Sequence, residues 1–184
     1  MNKSNGFVGF LLSYLAIILN LGYLFIEPLI FVTVGLIYDV PWQYYLHYGE
    51  LDIFEEYYGN MLRYVDYMES RSENNLVVRE EKDGWCLGDW CTPEKVELTE
   101  SYVNTCLYLE QLDILKNIAE ILGDFALSGE IEKKISAKKN AVQSTFLKDG
   151  IWDCGKQGAP VFAWNAGIIS LDEIIPYLEE YKTK

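Results

Sequence analysis

The sequence predicts an all-α protein built from antiparallel helical hairpins. In several segments, apolar residues recur every three or four positions, which is the period of an amphipathic helix. These segments begin at residues that cap helices or end at glycine. No region has the repeated two-residue alternation that a sheet of several strands would require. Half of the 184 residues are hydrophobic, which is enough to build a core.

The first 40 residues form an apolar segment, and we treat them separately from residues 41–184. Phe7–Ile26 is a 20-residue stretch without charge, about the length needed for a helix to cross a bilayer. Pro28–Tyr38 is also apolar but too short to span. Three interpretations stay open: a membrane anchor, a buried helix, or an aberrant start of the reading frame. The anchor predicts a membrane-bound protein, and the other two a cytoplasmic one.

The first two helices of residues 41–184 follow one another closely. Pro41–Tyr48 is predicted to be helical and to stop at Gly49. Residues 51–71 form a longer helix with one apolar stripe. The members of this stripe are Leu51, Phe54, Tyr58, Met61, Leu62, Val65 and Met68.

Four more helices follow a long loop that ends at residue 98. Thr99 is the predicted cap of a helix that stops at Gly123, and its stripe consists of Tyr102, Val103, Cys106, Leu109, Leu112, Ile118 and Leu122. Asp124–Leu147 forms the next helix, with a lysine-rich outer face. Val161–Ala166 is a short buried helix, and Ser170 caps a final amphipathic helix that extends through Tyr181.

The charge balance excludes some classes of function. With 15 basic and 28 acidic residues the net charge is −13, so nucleic acid is not an expected partner. His47 is the single histidine, which argues against a histidine-rich metal site or a Ser-His-Asp triad. We expect His47 to lie on the surface of its helix.

Two loops carry most of the residues suited to chemistry. The first, residues 72–98, contains DGWCLGDWCTPE, and the second is DGIWDCGKQGAP. Their candidate residues are Trp85, Asp89, Trp90 and Glu94 in the first loop and Trp152, Asp153 and Gln157 in the second. Tryptophan rings beside carboxylates are typical of sugar clefts. The alternatives are that the tryptophans pack in the core and that Asp89 organises its loop by binding backbone N–H groups.

The cysteines leave three possibilities open. Cys86 and Cys91 are separated by four residues, and Cys106 and Cys154 lie further along. A structural zinc would need two more ligands from irregularly spaced residues. A disulfide requires an oxidising compartment, and free thiols are the third possibility.

A family resemblance is carried by three stretches in a fixed order. They are VPWQYYLHYGELDIFEEYYGNMLRYVDYMESR, GWCLGDWCTPE and KQGAPVFAWNAGII. Together they resemble the catalytic domain of bacterial α-L-rhamnosidases, which are six-hairpin glycosidases, and the resemblance extends from Val40 to Leu171. The family has a helix of the type PW-x-x-Y-x-x-YGD, then a loop with a GDW core, then a Q-x-A segment that opens an inner helix.

The resemblance implies a fold and a reaction. It implies about half of an (α/α)6 toroid, inverting hydrolysis of terminal α-L-rhamnosides by two carboxyl groups, and no cofactor or metal. By position, Trp85, Asp89, Trp90 and Gln157 would line the sugar cleft. The resemblance implies a rhamnoside as the partner. Two further partners depend on other conditions: a membrane contacted through residues 7–26 if that segment is an anchor, and a second chain if one completes the toroid.

This chain departs from the family pattern in ways that affect catalysis. The acidic motif that carries the family's general acid is absent from residues 1–40, and TVGLIYDV stands where a GWGDA-like turn is expected. The family's base lies beyond the Q-x-A segment, so no catalytic residue is assigned here. We therefore expect a catalytically incomplete domain. The alternatives are a membrane-anchored, non-catalytic module that binds carbohydrate or protein, and a non-functional gene product.

Overall fold

The computed structural model describes residues 30–79, 88–89 and 97–181. Within them the chain forms six helices and two short β-hairpins. In chain order the elements are α1 (Ile30–Tyr48), α2 (Asp52–Ser70), β1 (Ser72–Glu73), β2 (Leu76–Val77), α3 (Glu100–Ile121), α4 (Phe125–Phe146), β3 (Leu147–Lys148), β4 (Ile151–Trp152), α5 (Gly158–Asn165) and α6 (Leu171–Tyr181). The all-α prediction is confirmed.

The helices form three consecutive antiparallel hairpins, α1–α2, α3–α4 and α5–α6. The first helices of the three hairpins also contact one another in order, α1 against α3 and α3 against α5. Tyr58 near the start of α2 donates a 3.1 Å hydrogen bond to the carboxylate of Asp124, which caps α4. The second helices of two neighbouring hairpins therefore start at the same end of the molecule. We call α1, α3 and α5 the inner helices and α2, α4 and α6 the outer helices.

The helix boundaries test the sequence predictions in detail. The predicted start at Pro41 is wrong, because α1 begins at Ile30 and carries Pro41 inside it. A proline costs its helix one backbone hydrogen bond, and the buried Pro41 ring lies in the core. Gly49 ends α1 with φ +72°, as predicted. Ser170 begins α6 as predicted, since its hydroxyl and the Glu173 carboxylate bond each other's backbone N–H groups.

Two β-hairpins occupy parts of the segments predicted to be loops. β1 pairs with β2 and β3 pairs with β4, both antiparallel and two residues long. Each turn has two central residues with positive φ, Asn74 and Asn75 in the first and Asp149 and Gly150 in the second. Asn, Asp and Gly are the residues that tolerate this conformation, as in type I′ turns. Each hairpin follows an outer helix and leads toward the next inner helix.

The core lies between the inner and outer helices. The aromatic residues Tyr38, Phe54, Tyr102, Tyr108 and Trp152 are among its largest fully buried side chains. Tyr38 donates a 2.8 Å hydrogen bond to the Met61 carbonyl and thereby joins α1 to α2. Burial raises the pKa of the Tyr38 hydroxyl. Of the predicted α2 stripe, Leu51 is exposed, whereas Phe54, Met61, Val65 and Met68 are buried.

Lys138 is an exception to the predicted lysine-rich outer face of α4. Its side chain is 1% exposed, and its ammonium lies 3.3 Å from the Glu69 carboxylate and 5.0 Å from the centre of the Tyr108 ring. Tyr108 also donates a hydrogen bond to Glu69. Burial lowers the pKa of Lys138, although the Glu69 charge opposes that change. This polar group joins α2, α3 and α4 within the core.

Residues 7–26, the segment proposed to cross a membrane, lie outside the described residues. Among the helices of residues 30–79 and 97–181, none is both long and apolar enough for a transmembrane span.

Candidate functional site

The described parts of the two predicted loops meet at the N-terminal ends of α3 and α5. The first loop leads into α3 and the second into α5. Glu97 and Lys156 form an ion pair with 2.7 Å between Oε2 and Nζ. A Cβ added to Gly158 would lie 3.3 Å from the Leu98 side chain, so the backbones before α3 and at the start of α5 are adjacent. We call this end of the molecule, formed by residues 88–89, 97–99 and 153–158, the mouth.

Asp153 makes the strongest connection across the mouth. Its Oδ2 accepts a 2.7 Å hydrogen bond from the backbone N–H of Thr99, and its Oδ1 accepts a 2.6 Å hydrogen bond from the Thr99 hydroxyl. Thr99 is the N-cap residue of α3 as predicted, but its hydroxyl makes no cap bond within its own helix. The negative charge of Asp153 is favourable here because helix N-termini carry positive partial charge.

Gly88, the first residue of the GDW sequence in the first loop, packs against α3. Its φ is +57°, and an added Cβ would lie only 3.0 Å from Cγ and 3.2 Å from Cα of Glu100. The sequence therefore needs glycine here for close approach to a helix. Asp89 follows directly and is half-buried at the mouth. Of the other predicted cleft residues in this loop, Trp85 and Trp90 lie outside the described residues, as does Glu94.

Gln157 is the predicted cleft residue in the second loop. It is exposed, and it is the residue that precedes α5. Its backbone is already helical, and its side chain makes no cap hydrogen bond. The amide group of Gln157 can therefore offer both a donor and an acceptor to a ligand at the mouth. The structure thus brings Asp89 and Gln157 to the same end of the inner helices.

Trp152 does not belong to the mouth surface, contrary to the sugar-stacking interpretation. Its side chain is 2% exposed, and its ring centre lies 6.3 Å from that of Tyr102 in α3. The Tyr102 hydroxyl donates a hydrogen bond to the Ala159 carbonyl at the start of α5. Trp152 and Tyr102 therefore pack together beneath the mouth and support it from inside. For Trp152, the alternative of core packing is correct.

Two carboxyl groups on the inner helices, those of Asp39 and Glu110, were not predicted as candidate residues from the sequence. Burial raises the pKa of Glu110 in α3, and the nearby negative charge of Asp39 in α1 raises it further. Partial desolvation also raises the pKa of Asp39, although this residue is exposed at the surface of α1. The Oε1 atom of Glu110 is buried and has no hydrogen-bond partner among the residues that the structure describes. The signal was present, because Glu110 interrupts the helical spacing of the apolar residues Val103, Leu107 and Ile114.

The position of Glu110 separates it from the mouth. It lies ten residues beyond Glu100 on a continuous helix, which corresponds to about 15 Å along the helix axis. A sugar ring bound at the mouth would not reach that depth. The Asp39–Glu110 pair is therefore a feature of the inner-helix contact and not of the predicted cleft.

The four cysteines and the single histidine are further reactive side chains of the sequence. Cys106 is a buried free thiol, and burial raises its pKa. Cys154 is an exposed free thiol beside Asp153. Cys86 and Cys91 lie outside the described residues. His47 is exposed on α1 as predicted, with Nδ1 at 2.7 Å from the Gln43 carbonyl. In residues 30–79, 88–89 and 97–181 no three potential ligands are grouped around a metal position.

Comparison with known proteins gives two positive results. Residues 34–178 match the family described as the bacterial alpha-L-rhamnosidase 6 hairpin glycosidase domain. A curated relative, an alpha-L-rhamnosidase of Formosa agariphila, is 29% identical over 149 residues. That alignment covers 73% of this chain but 15% of the relative, so the chain spans a small part of that protein's length. No solved structure gives a significant match.

Proposed function

The chain belongs to the bacterial α-L-rhamnosidase six-hairpin glycosidase family, and on that basis we propose that its mouth binds the terminal sugar of an α-L-rhamnoside. The observation that carries the proposal is the convergence of two loops at one end of the inner helices. The hydrogen bonds between Asp153 and Thr99 join loops whose contact residues are 54 positions apart in the sequence. A cleft for one sugar ring needs such a pair of adjoining walls.

The two walls offer complementary chemistry for a sugar. Asp89 supplies a carboxylate and Gln157 supplies an amide, and both groups hydrogen-bond to hydroxyls. Trp85 and Trp90 flank Asp89 in the sequence and would supply aromatic faces for the apolar side of the ring. Hydrogen bonds to a charged acceptor contribute about 1.5–3 kcal/mol each, so Asp89 is expected to dominate affinity.

The reaction proposed for the intact site is inverting hydrolysis. It requires one protonated carboxyl group that donates to the leaving oxygen and one carboxylate that activates water, with space for that water between them. We propose that Asp89 and Gln157 bind the sugar and that the two proton-transferring groups are contributed from outside the matched stretch. In this proposal the present chain binds rhamnosides but does not hydrolyse them by itself.

Binding is tested with L-rhamnose and isothermal titration calorimetry. We expect the unmodified chain to bind L-rhamnose, and Asp89→Asn and Gln157→Ala each to raise the dissociation constant about tenfold, which corresponds to about 1.4 kcal/mol. Asp113→Asn is the matched control, because Asp113 is an exposed carboxylate of α3 beyond Glu110. Absence of binding by the unmodified chain, or equal loss in the control, would contradict the proposal.

Hydrolysis is tested separately with 4-nitrophenyl α-L-rhamnopyranoside. We expect the purified chain to release no 4-nitrophenol above the background rate. Release that disappears in the Asp89→Asn variant would show that the chain is catalytically complete. That result would support the rhamnoside assignment and disprove the proposed incompleteness, so the two parts of the proposal are tested independently.

A further inference from the structure

We propose that Asp153 is a positioning residue that sets the separation between the two walls of the mouth. This inference rests on the proposed function, because it assigns to Asp153 the control of how the cleft is shaped. The first wall consists of residues 88–89 and 97–99, and the second wall consists of residues 153–158. Asp153 acts on sugar binding through these walls and not by contact with the sugar.

Both carboxylate oxygens of Asp153 accept hydrogen bonds from Thr99 in the first wall. One accepts from the backbone N–H of Thr99 at 2.7 Å and the other from its hydroxyl at 2.6 Å. Such hydrogen bonds to an ionised carboxylate are about twice as strong as those between neutral groups. Two bonds to one residue also fix orientation, since the carboxylate cannot rotate without breaking one of them.

The backbone of Asp153 is anchored on its own side. Its φ is +45°, a conformation that aspartate and asparagine adopt more readily than most residues. Its N–H donates a 2.7 Å hydrogen bond to the Phe146 carbonyl at the end of α4. The preceding Trp152 is buried in the core. Because the backbone of Asp153 is held in place, the hydrogen bonds of its carboxylate fix the position of Thr99 relative to the second wall.

The predicted sugar-binding residues are close in sequence to this connection on both walls. Thr99 immediately precedes Glu100, and Gly88 packs so closely against Glu100 that a Cβ at residue 88 would lie 3.0 Å from its Cγ. Asp89 follows Gly88. On the other wall, Gln157 lies four residues after Asp153. A change in the Asp153–Thr99 distance would therefore change the distance between the two binding groups.

The second connection across the mouth is weaker. The ion pair between Lys156 and Glu97 has side chains that are 58% and 46% exposed. Ion pairs in such surroundings contribute little, because water and salt screen them. Leu98 and Gly158 are in contact but have no directional bond. The Asp153 carboxylate is thus the main directional connection between the walls among the residues that the structure describes.

Graded variants separate the two bonds from the backbone conformation. Asp153→Gly keeps the positive φ and removes both acceptors, whereas Asp153→Asn keeps one acceptor oxygen. Thr99→Val removes only the hydroxyl bond, and Thr99→Ser retains it. Tyr177→Phe is the matched control, because it removes the 3.0 Å hydrogen bond from Tyr177 to the Gly150 carbonyl, on the same β-hairpin but away from Thr99.

The first measurement needs no sugar. Amide hydrogen exchange followed by mass spectrometry should show at least tenfold faster exchange in residues 97–100 for Asp153→Gly than for the unmodified chain. Asp153→Asn and Thr99→Val should be intermediate, and Thr99→Ser and Tyr177→Phe unchanged. Equal exchange in Asp153→Gly and the unmodified chain would overturn the inference, whether or not the protein binds rhamnose.

The second measurement distinguishes positioning from a purely structural role. At a temperature where every variant is fully folded, Asp153→Gly should raise the dissociation constant for L-rhamnose at least tenfold, and Asp153→Asn about threefold. A lower melting temperature with an unchanged dissociation constant would mean that Asp153 only stabilises the fold, which overturns the inference. If the unmodified chain binds no rhamnose, the proposed function fails, and the exchange data alone decide whether Asp153 holds the walls together.

Discussion

At the scale of single residues, tryptophans that the sequence groups together have different surroundings. Trp152 is 2% exposed and packs on Tyr102, whereas Trp164, in the last turn of α5, is 40% exposed. Both lie in or beside the second loop region of the sequence. Tryptophan at a loop is therefore not evidence of a sugar platform until its exposure is known. Trp152 directly precedes Asp153, and its buried ring holds this part of the backbone in place beneath the mouth.

We predict that Trp152→Ala lowers the free energy of unfolding by about 3–5 kcal/mol. Truncation of a fully buried aromatic side chain loses its transfer free energy and leaves a cavity. The measurement is a urea titration followed by circular dichroism. Trp164→Ala is the control and should cost less, about 1–2 kcal/mol, because 40% of its surface already contacts water. Similar losses in both variants would contradict the assigned burial of Trp152.

At the scale of elements, the outer helices α2 and α4 are followed by the same arrangement. Each leads into a β-hairpin with two-residue strands and then into a connection to the next inner helix. The hairpins place their strand ends against inner helices. The Val77 N–H, for example, donates a 2.9 Å hydrogen bond to the Thr105 hydroxyl of α3. This repeated order explains why both predicted loops lead into inner helices at the same end of the molecule.

Across the contact between α1 and α3, the negative charge of Asp39 acts on the carboxyl group of Glu110. In the folded protein the pKa of Glu110 is raised above its usual value of 4.5 by burial and then by Asp39. Between that usual value and the raised pKa, the native state binds more protons than the unfolded state. Stability is therefore lost as the pH rises through the pKa of folded Glu110.

We predict that Glu110→Gln raises the urea midpoint at pH 7.5 and leaves it unchanged at pH 4. The substitution removes the ionisation but keeps the size of the side chain, so the benefit appears only where the native glutamate would be charged. Glu130→Gln, on the exposed face of α4, is the control for the change in net charge. A midpoint that falls at pH 7.5, or an equal rise at both pH values, would refute this explanation.

At the scale of the whole molecule, the acidic excess is the dominant electrostatic feature. The chain has 28 acidic and 15 basic residues, for a net charge of −13. Repulsion among like charges destabilises a compact state, and salt screens it over about 10 Å at 0.1 M. The ion pairs among the described residues are mostly at the surface, where each contributes little to stability. Their screening by salt therefore causes only a small loss of stability.

We predict that 0.5 M sodium chloride raises the thermal midpoint of unfolding at pH 7.5. The same addition at pH 5 should have a smaller effect, since this pH is nearer the isoelectric point of about 4.4 and fewer carboxyl groups are ionised. Differential scanning calorimetry measures both. A midpoint that falls with salt at pH 7.5 would mean that specific ion pairs outweigh the general repulsion.

The β-hairpins, the start of α1 and the burial of Lys138 could not be predicted from the sequence. A two-residue strand has no alternation to detect, and Asp149–Gly150 indicates a turn without showing what it joins. Pro41 suggested a helix start, yet packing tolerated it inside α1. In the sequence, Lys138 does not differ from the less buried lysines of α4, and its burial depends on Glu69 and Tyr108, which come from other helices.

The sequence by itself determined the helices, their hairpin order and the family, because apolar periodicity, cap residues and ordered motifs are local properties of the chain. It also identified the two loops that meet at the mouth. Only the tertiary structure decided which side chains of those loops face solvent, that Asp153 bonds Thr99, and that Asp39 lies near Glu110. These outcomes depend on contacts between residues far apart in sequence, and such contacts exist only after the helices have packed.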